Sequence, residues 1–328
     1  MTDETQQKMK PESFEDFKNS FYYGSRSDLN FKFLKYLPDE QAARFLQELL
    51  YRLGDSVDDG HVERLTELFF DYQRDAYCGA TKWSYLTGPF TELEKPISES
   101  RVALITSSGH FVAGDDPEPF GVANMTQDEA AARADEFLSL EPVLSTIPMD
   151  TPLDQLRVRH SGYDVRTVEA DPNVALPITR LQEIAATGRI GELAPNAYSF
   201  LGACAQNLLT RRAAPQWARM MHMDDVEVVI LVPVCPVCHV SIGHVAREFE
   251  RAGMATVVIG TAVHRDRTVA MSLPRLLFTP HPMGRPLGAP HDAERQTEVL
   301  LAALDLLDTA VENGTVVDLP GGYRPTPA

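Results

Sequence analysis

Residues 226–234 are apolar except at Glu227 and Pro233, residues 239–252 then take up helical spacing, and a second apolar run follows Gly253 at residues 255–259. The first run is continuous rather than alternating, so it reads as a strand buried on both faces. Strand, crossover helix and strand in that order make a right-handed parallel unit, so Cys235 and Gly260 are expected to open on one edge of a sheet. Residues 101–106 form a third buried strand that runs into Ser107, Ser108, Gly109 and His110. A strand followed by small polar residues is how open α/β sheets build ligand sites at their carboxyl ends. The expected fold class is therefore α/β, a mostly parallel sheet with flanking helices built from Rossmann-like βαβ units.

The chain ahead of residue 100 follows a different pattern. Its first 13 residues are polar and are expected to be disordered at the start. Helical periodicity runs from Phe14 to about Tyr77: Phe31, Phe33, Leu34 and Leu37 are followed by Ala42, Phe45, Leu46 and Leu49. Pro38 and Asp39 open the second helix, Gly54 closes it, and a third is expected over residues 61–74. Aromatic residues at helical spacing read as core. Residues 1–96 are thus expected to be a helical cap, and residues 97–328 an α/β catalytic domain. Within the latter, Thr126 to Glu129 spells a capping box opening a helix to about residue 140, a helix over 178–186 ends at Gly188, and a last one spans 292–312.

The chemistry concentrates at Cys235-Pro236-Val237-Cys238-His239, where a strand hands over to a helix. Free N–H groups and the helix dipole favour a thiolate there, and His239 lies next to the second cysteine in sequence. The first cysteine of such a pair is expected to attack and the second to resolve, although His239 gives Cys238 a claim to be the lower-pKa thiolate. A Cys-x-x-Cys is also half of a zinc site, but no second pair of that kind follows, and Cys78 and Cys204 are distant singles. A metal site completed by histidines from other loops, and an inert buried pair, stay open as alternatives. The other candidates lie in loops at the same sheet edge: Ser107, Ser108, Gly109 and His110; His160, Tyr163, Asp164 and Arg166; and His281 and Arg285 in a proline-laden loop. His160 is read as acid or base, the rest as substrate-binding groups. A net charge of −17 argues against nucleic acid or an anionic membrane as partner. Neither a signal peptide nor a membrane-length apolar run is legible, so a soluble, cytoplasmic protein is expected, with cysteines that cycle rather than staple.

The combination of motifs is more specific than the cysteine pair alone. Residues 232–239 (Val-Pro-Val-Cys-Pro-Val-Cys-His), residues 191–202, the Pro274-Arg275 pair and the loop from Gly284 to Gly288 together resemble the selenoprotein B family of glycine, sarcosine and betaine reductases and the related D-proline reductase subunit. The resemblance spans about residues 100 to 310. It implies thiol attack on the carbon bearing an amine, reductive cleavage of the carbon–nitrogen bond, and resolution by a neighbouring thiol, with Cys235 and Cys238 as the redox pair. Only ordinary cysteines occur here, and no self-cleavage site for a pyruvoyl group is legible, so no cofactor is expected. The partners it implies are a small amino-acid-like substrate and a thiol electron donor, either thioredoxin-like or of low molecular weight. Homo-oligomerisation, and a role as redox partner subunit of a larger reductase, are left open.

Overall fold

The computed structural model describes residues 12–23, 26, 31–79 and 81–324, so nearly all of the expected disordered start lies outside the described residues. Its strands are β1 Arg101–Thr106, β2 His110–Val112, β3 Ser145–Pro148, β4 Leu156–Val158, β5 Glu192–Leu193, β6 Asn196–Ser199, β7 Val228–Val232, β8 Ala255–Thr261, β9 Arg275–Thr279 and β10 Thr315–Asp318. The main sheet runs β10-β9-β8-β7-β1-β6-β3, and the short β5 joins β1 as well. Every pairing in it is parallel except that of β3 with β6. Pro195 falls between β5 and β6, where a residue without an N–H interrupts the ladder.

Strand β7 shows why the sheet forms. Its five residues have no exposure at all, and they alternate between two cores. Val228, Ile230 and Val232 pack on the face covered by helices Ile178–Ala186 and Ala293–Thr309. Val229 and Leu231 pack on the other, under helices Ala214–Met223 and Pro236–Arg251. Side chains of period two buried on both faces are what a central parallel strand requires. The α/β class and the mostly parallel sheet with flanking helices are as expected, and the neighbours β1, β7 and β8 all deliver their carboxyl ends to one edge. No helix among the described residues is long and apolar enough to cross a membrane.

The N-terminal helical region comprises Phe14–Tyr23, a 3-10 turn at Lys32–Tyr36, Asp39–Asp59 and Glu63–Tyr77. Phe33, Leu34, Phe45 and Leu68 make its core, which also takes in Val263 and Met283 from the α/β part. Its seating is specific: the Met283 N–H donates to Gln73 Oε1 at 3.0 Å, and Arg267 donates to the Tyr77 carbonyl at 3.0 Å.

Several boundaries differ from expectation. The second helix runs through Gly54 and stops at Gly60, whose φ of 76° suits a glycine C-cap; a glycine inside a well-packed helix costs only about 1 kcal/mol. The helix opened by the Thr126 capping box breaks at Arg133, and the last helix ends at Thr309. Strands β9 and β10 add to the three buried strands legible in the sequence. Arg157 lies in β4 and Arg166 opens the helix Arg166–Ala170, so the 157–173 segment is less irregular than its composition suggests.

Candidate active site

The turn after β7 sets the site. The helix begins at Pro236, three residues earlier than its apolar spacing suggests, because a proline at the first helical position already has the required φ and lacks only an N–H that would go unbonded. Cys235 therefore becomes the N-cap. Its Sγ accepts the Cys238 N–H at 3.2 Å and lies 2.7 Å from Cys238 Sγ. Both cysteines are free thiols, 1% and 0% exposed.

His160 completes the group. Its Nε2 is 3.3 Å from Cys238 Sγ, while its Nδ1 accepts the Gly162 N–H at 2.7 Å. A ring nitrogen that accepts an N–H carries no proton, so the ring proton sits on Nε2 and points at the sulfur. The two thiols are thereby split. Burial opposes charge on Cys238, but the hydrogen bond from Cys235 and the adjoining His160 ring hold it well below the ordinary thiol range. Burial and the neighbouring Cys238 push Cys235 well above that range. The two shifts run in opposite directions, with Cys235 the donor and Cys238 the acceptor of the hydrogen bond between them.

Two glycines make room for this contact. A Cβ on Gly162 would stand 2.9 Å from Cys235 Sγ, and one on Gly202 would stand 2.8 Å from Cys238 Sγ. Tyr163 packs its ring 4.8 Å from His160 and donates its hydroxyl to the Ser108 carbonyl at 3.0 Å. The Ser107 carbonyl lies 3.7 Å from Cys238 Sγ, and the Gly284 N–H donates to the Val234 carbonyl beside the pair.

The remaining expected residues have other contacts. His239 does not turn its ring to Cys238: Nδ1 donates to the Cys235 carbonyl at 2.8 Å, and Nε2 accepts the Thr261 N–H at 3.2 Å. Burial pushes its pKa down to about 3. This histidine ties the cysteine turn to the end of β8 and is not an acid or base for the thiols. Burial likewise takes His110 to about 3, and its Nδ1 pairs with the Ser108 hydroxyl at 2.6 Å. Gly109, with φ of 78°, is held where a Cβ would strike the Arg159 carbonyl. His281 donates to the Pro286 carbonyl and accepts from Arg295, and burial pushes it down to about 4. Arg285 lies beside Tyr323, and Asp164 makes a bidentate pair with Arg166 at 2.8 and 2.6 Å. Of the loops expected to converge, the structure brings the 160–163 segment and the Ser107 and Gly284 backbones to the cysteines. The side chains of His110, His281 and Arg285 face other partners.

A pocket of about 50 Å³ opens beside Cys235, and much of its wall comes from the helical region: Tyr22, Lys32, Tyr36 and Tyr77 face Ser161 and Gly162. The helical periodicity that takes in Tyr22, Tyr36 and Tyr77 gives no sign of this wall. Periodicity cannot separate a tyrosine at a helix end that packs inward from one that lines a cleft.

Comparison with known proteins bears out the resemblance read from the motifs. A family model described as Glycine/sarcosine/betaine reductase selenoprotein B (GRDB) matches residues 89–234, ending just before Cys235. The chain is 28% identical over 238 residues to D-proline reductase subunit gamma of Acetoanaerobium sticklandii, covering 71% of this chain and 89% of that subunit. It is 27% identical over 234 residues to Sarcosine reductase complex component B subunit beta of Peptoclostridium acidaminophilum, covering 68% and 49%. It is 28% identical over 227 residues to Glycine reductase complex component B subunit gamma of Carboxydothermus hydrogenoformans, again covering 68% and 49%. The chain thus spans about half the length of these last two relatives. No solved structure gives a significant match.

Proposed function

We propose that this chain, similar to components of amino-acid reductase complexes, is a thiol-dependent reductase of a small amino-acid-like substrate, with Cys235 attacking and Cys238 resolving. The observation that carries the reading is the contact of the two sulfurs at 2.7 Å at the head of a helix, with His160 on the second and a pocket beside the first. Cys235 faces the substrate but holds its proton, and Cys238 is the base in contact with it. In the first step the Cys235 proton passes to Cys238 as a carbon–sulfur bond forms, the carbon–nitrogen bond breaks, and the amine departs with the electron pair. In the second, Cys238 loses its proton to solvent and attacks the Cys235 sulfur. A disulfide forms, the carbon–sulfur bond breaks, and the electron pair left on carbon takes up a proton. The sum is two thiols oxidised and one carbon–nitrogen bond reduced, and an external dithiol returns the pair to its starting state.

The second step needs a carbon that can hold an electron pair, so the substrate must carry a carbonyl or carboxyl group next to it. His160 positions and charges Cys238 through Nε2. Residues 97–328 would supply this machinery, and residues 1–96 would form the cap over it. Single variants test the assignment: Cys238→Ser, in which Cys235 must lose its proton to solvent instead, should accumulate a covalent adduct on Cys235, more slowly than wild type reacts, when incubated with substrate-containing cell extract, and Cys235→Ser should not. An adduct on Cys238 in the Cys235→Ser protein would reverse the roles.

A metal site is the second reading, because the ligand atoms of His160, Cys235 and Cys238 all lie within 4.8 Å of one another. Two thiolates on one zinc at about 2.3 Å each would sit roughly 3.8 Å apart. The 2.7 Å separation is closer to the roughly 2.05 Å of a disulfide than to that spacing. The relatives are named as parts of complexes, which also supports operation beside partner subunits.

A further inference from the structure

We infer that Tyr77, at the end of the helical region, is the hydrogen-bond donor that holds the substrate's carbonyl or carboxyl oxygen while Cys235 reacts at the adjacent carbon. The inference rests on the thiol reading above and adds to it a residue outside the matched family segment, which begins at residue 89. Tyr77 is 2% exposed and lines the same small pocket as Cys235. Among the described residues its hydroxyl makes no hydrogen bond, although a buried phenol ordinarily finds a partner. A buried donor left open beside a nucleophile is what a developing oxyanion requires, because its stabilisation is strongest where water is excluded.

The position of this hydroxyl is fixed rather than incidental. Arg267 donates to the Tyr77 carbonyl at 3.0 Å and holds its guanidinium 5.4 Å from the ring centroid. The ring packs 4.9 Å from His264 and 5.6 Å from Tyr36. Burial keeps the phenol protonated, with a pKa raised well above the ordinary tyrosine value. The pocket's volume of about 50 Å³ admits only a compact ligand. The substrate class that fits is a short-chain compound with a leaving group on the carbon next to a carbonyl or carboxyl group. In the second proposed step that oxygen would gain negative charge as the neighbouring carbon takes the electron pair of the broken carbon–sulfur bond; in the first, a donor on it would draw electron density from the reacting carbon and hold it in line with Cys235, and Tyr77 would meet it with an O–H in both.

Two small alkylating probes separate this role from a structural one. Iodoacetamide carries a carbonyl next to the reacting carbon, and iodomethane carries none; peptide mapping reports the rate of each at Cys235. Tyr77→Phe should slow iodoacetamide about tenfold, the rate equivalent of one hydrogen bond. It should leave iodomethane within about twofold, since a change in thiol ionisation would move both rates alike. Tyr72→Phe, which removes a hydroxyl bonded to Glu48 elsewhere in the helical region, should leave the ratio of the two rates unchanged. An unchanged ratio in Tyr77→Phe, or an equal fall in Tyr72→Phe, overturns the inference while leaving the thiol reading intact. Failure of both probes to label Cys235 at all overturns the thiol reading and this inference with it.

Discussion

Replacing His160 with alanine tests how the thiol pair is charged. In the folded protein the His160 Nε2 lies 3.3 Å from Cys238 Sγ, with its proton aimed by the Gly162 N–H on the opposite ring nitrogen. A hydrogen bond to a charged group contributes about 1.5–3 kcal/mol. At 1.36 kcal/mol per pKa unit, its loss should raise the Cys238 pKa by roughly one to two units. The direction is fixed by the geometry, because the bond stabilises only the thiolate. The fraction of Cys238 ionised at neutral pH should therefore fall, and the pH midpoint of ultraviolet thiolate absorbance should move upward. His160→Gln, which keeps a side-chain N–H donor, should recover part of the shift. A midpoint that stays in place or moves down in His160→Ala would show that the ring does not charge Cys238, and the assignment of Cys235 as proton-bearing partner would fall with it.

Two further substitutions probe the frame around the pair. Gly202→Ala places a Cβ 2.8 Å from Cys238 Sγ and 2.7 Å from Ser107 Cβ; thermal denaturation should show a loss of about 1–3 kcal/mol, and the oxidised protein should form the disulfide more slowly than wild type. Glu250→Ala leaves Arg275, 1% exposed, without the carboxylate 3.2 Å from its guanidinium. Removing one partner of a buried pair costs about 3–5 kcal/mol, which denaturant titration should register without any change in thiol reactivity.

The α/β frame was legible because β1, β7 and β8 are buried on both faces, and such strands announce themselves as unbroken apolar runs. The cysteine turn was legible for the same reason, since it follows the longest of those runs. Strand β10 was not: as an edge strand of four partly or fully exposed residues it carries no apolar run. Helix onset at Pro236 was missed because Cys235 and Cys238 disturb the apolar spacing while proline still suits a first turn. His160 was singled out in the sequence, but its contact with Cys238 was not legible, since 78 residues separate the two. His239, adjacent in sequence to Cys238, instead bonds backbone atoms of Cys235 and Thr261, because the helix turns its side chain toward β8. Sequence adjacency misassigned it for that reason. The roles of Gly162 and Gly202 depend on contacts made across the fold, and their local sequence carries no sign of them.

The central claim is that Cys235 and Cys238 cycle between dithiol and disulfide, and disulfide mapping of the protein before and after mild oxidation tests it most directly. Oxidised protein should contain a Cys235–Cys238 disulfide that a dithiol fully reverses, with Cys78 and Cys204 remaining free thiols throughout. Finding both Cys235 and Cys238 free after oxidation, while a chelator releases one metal ion per chain, would contradict the claim and establish the His160, Cys235 and Cys238 cluster as a metal site.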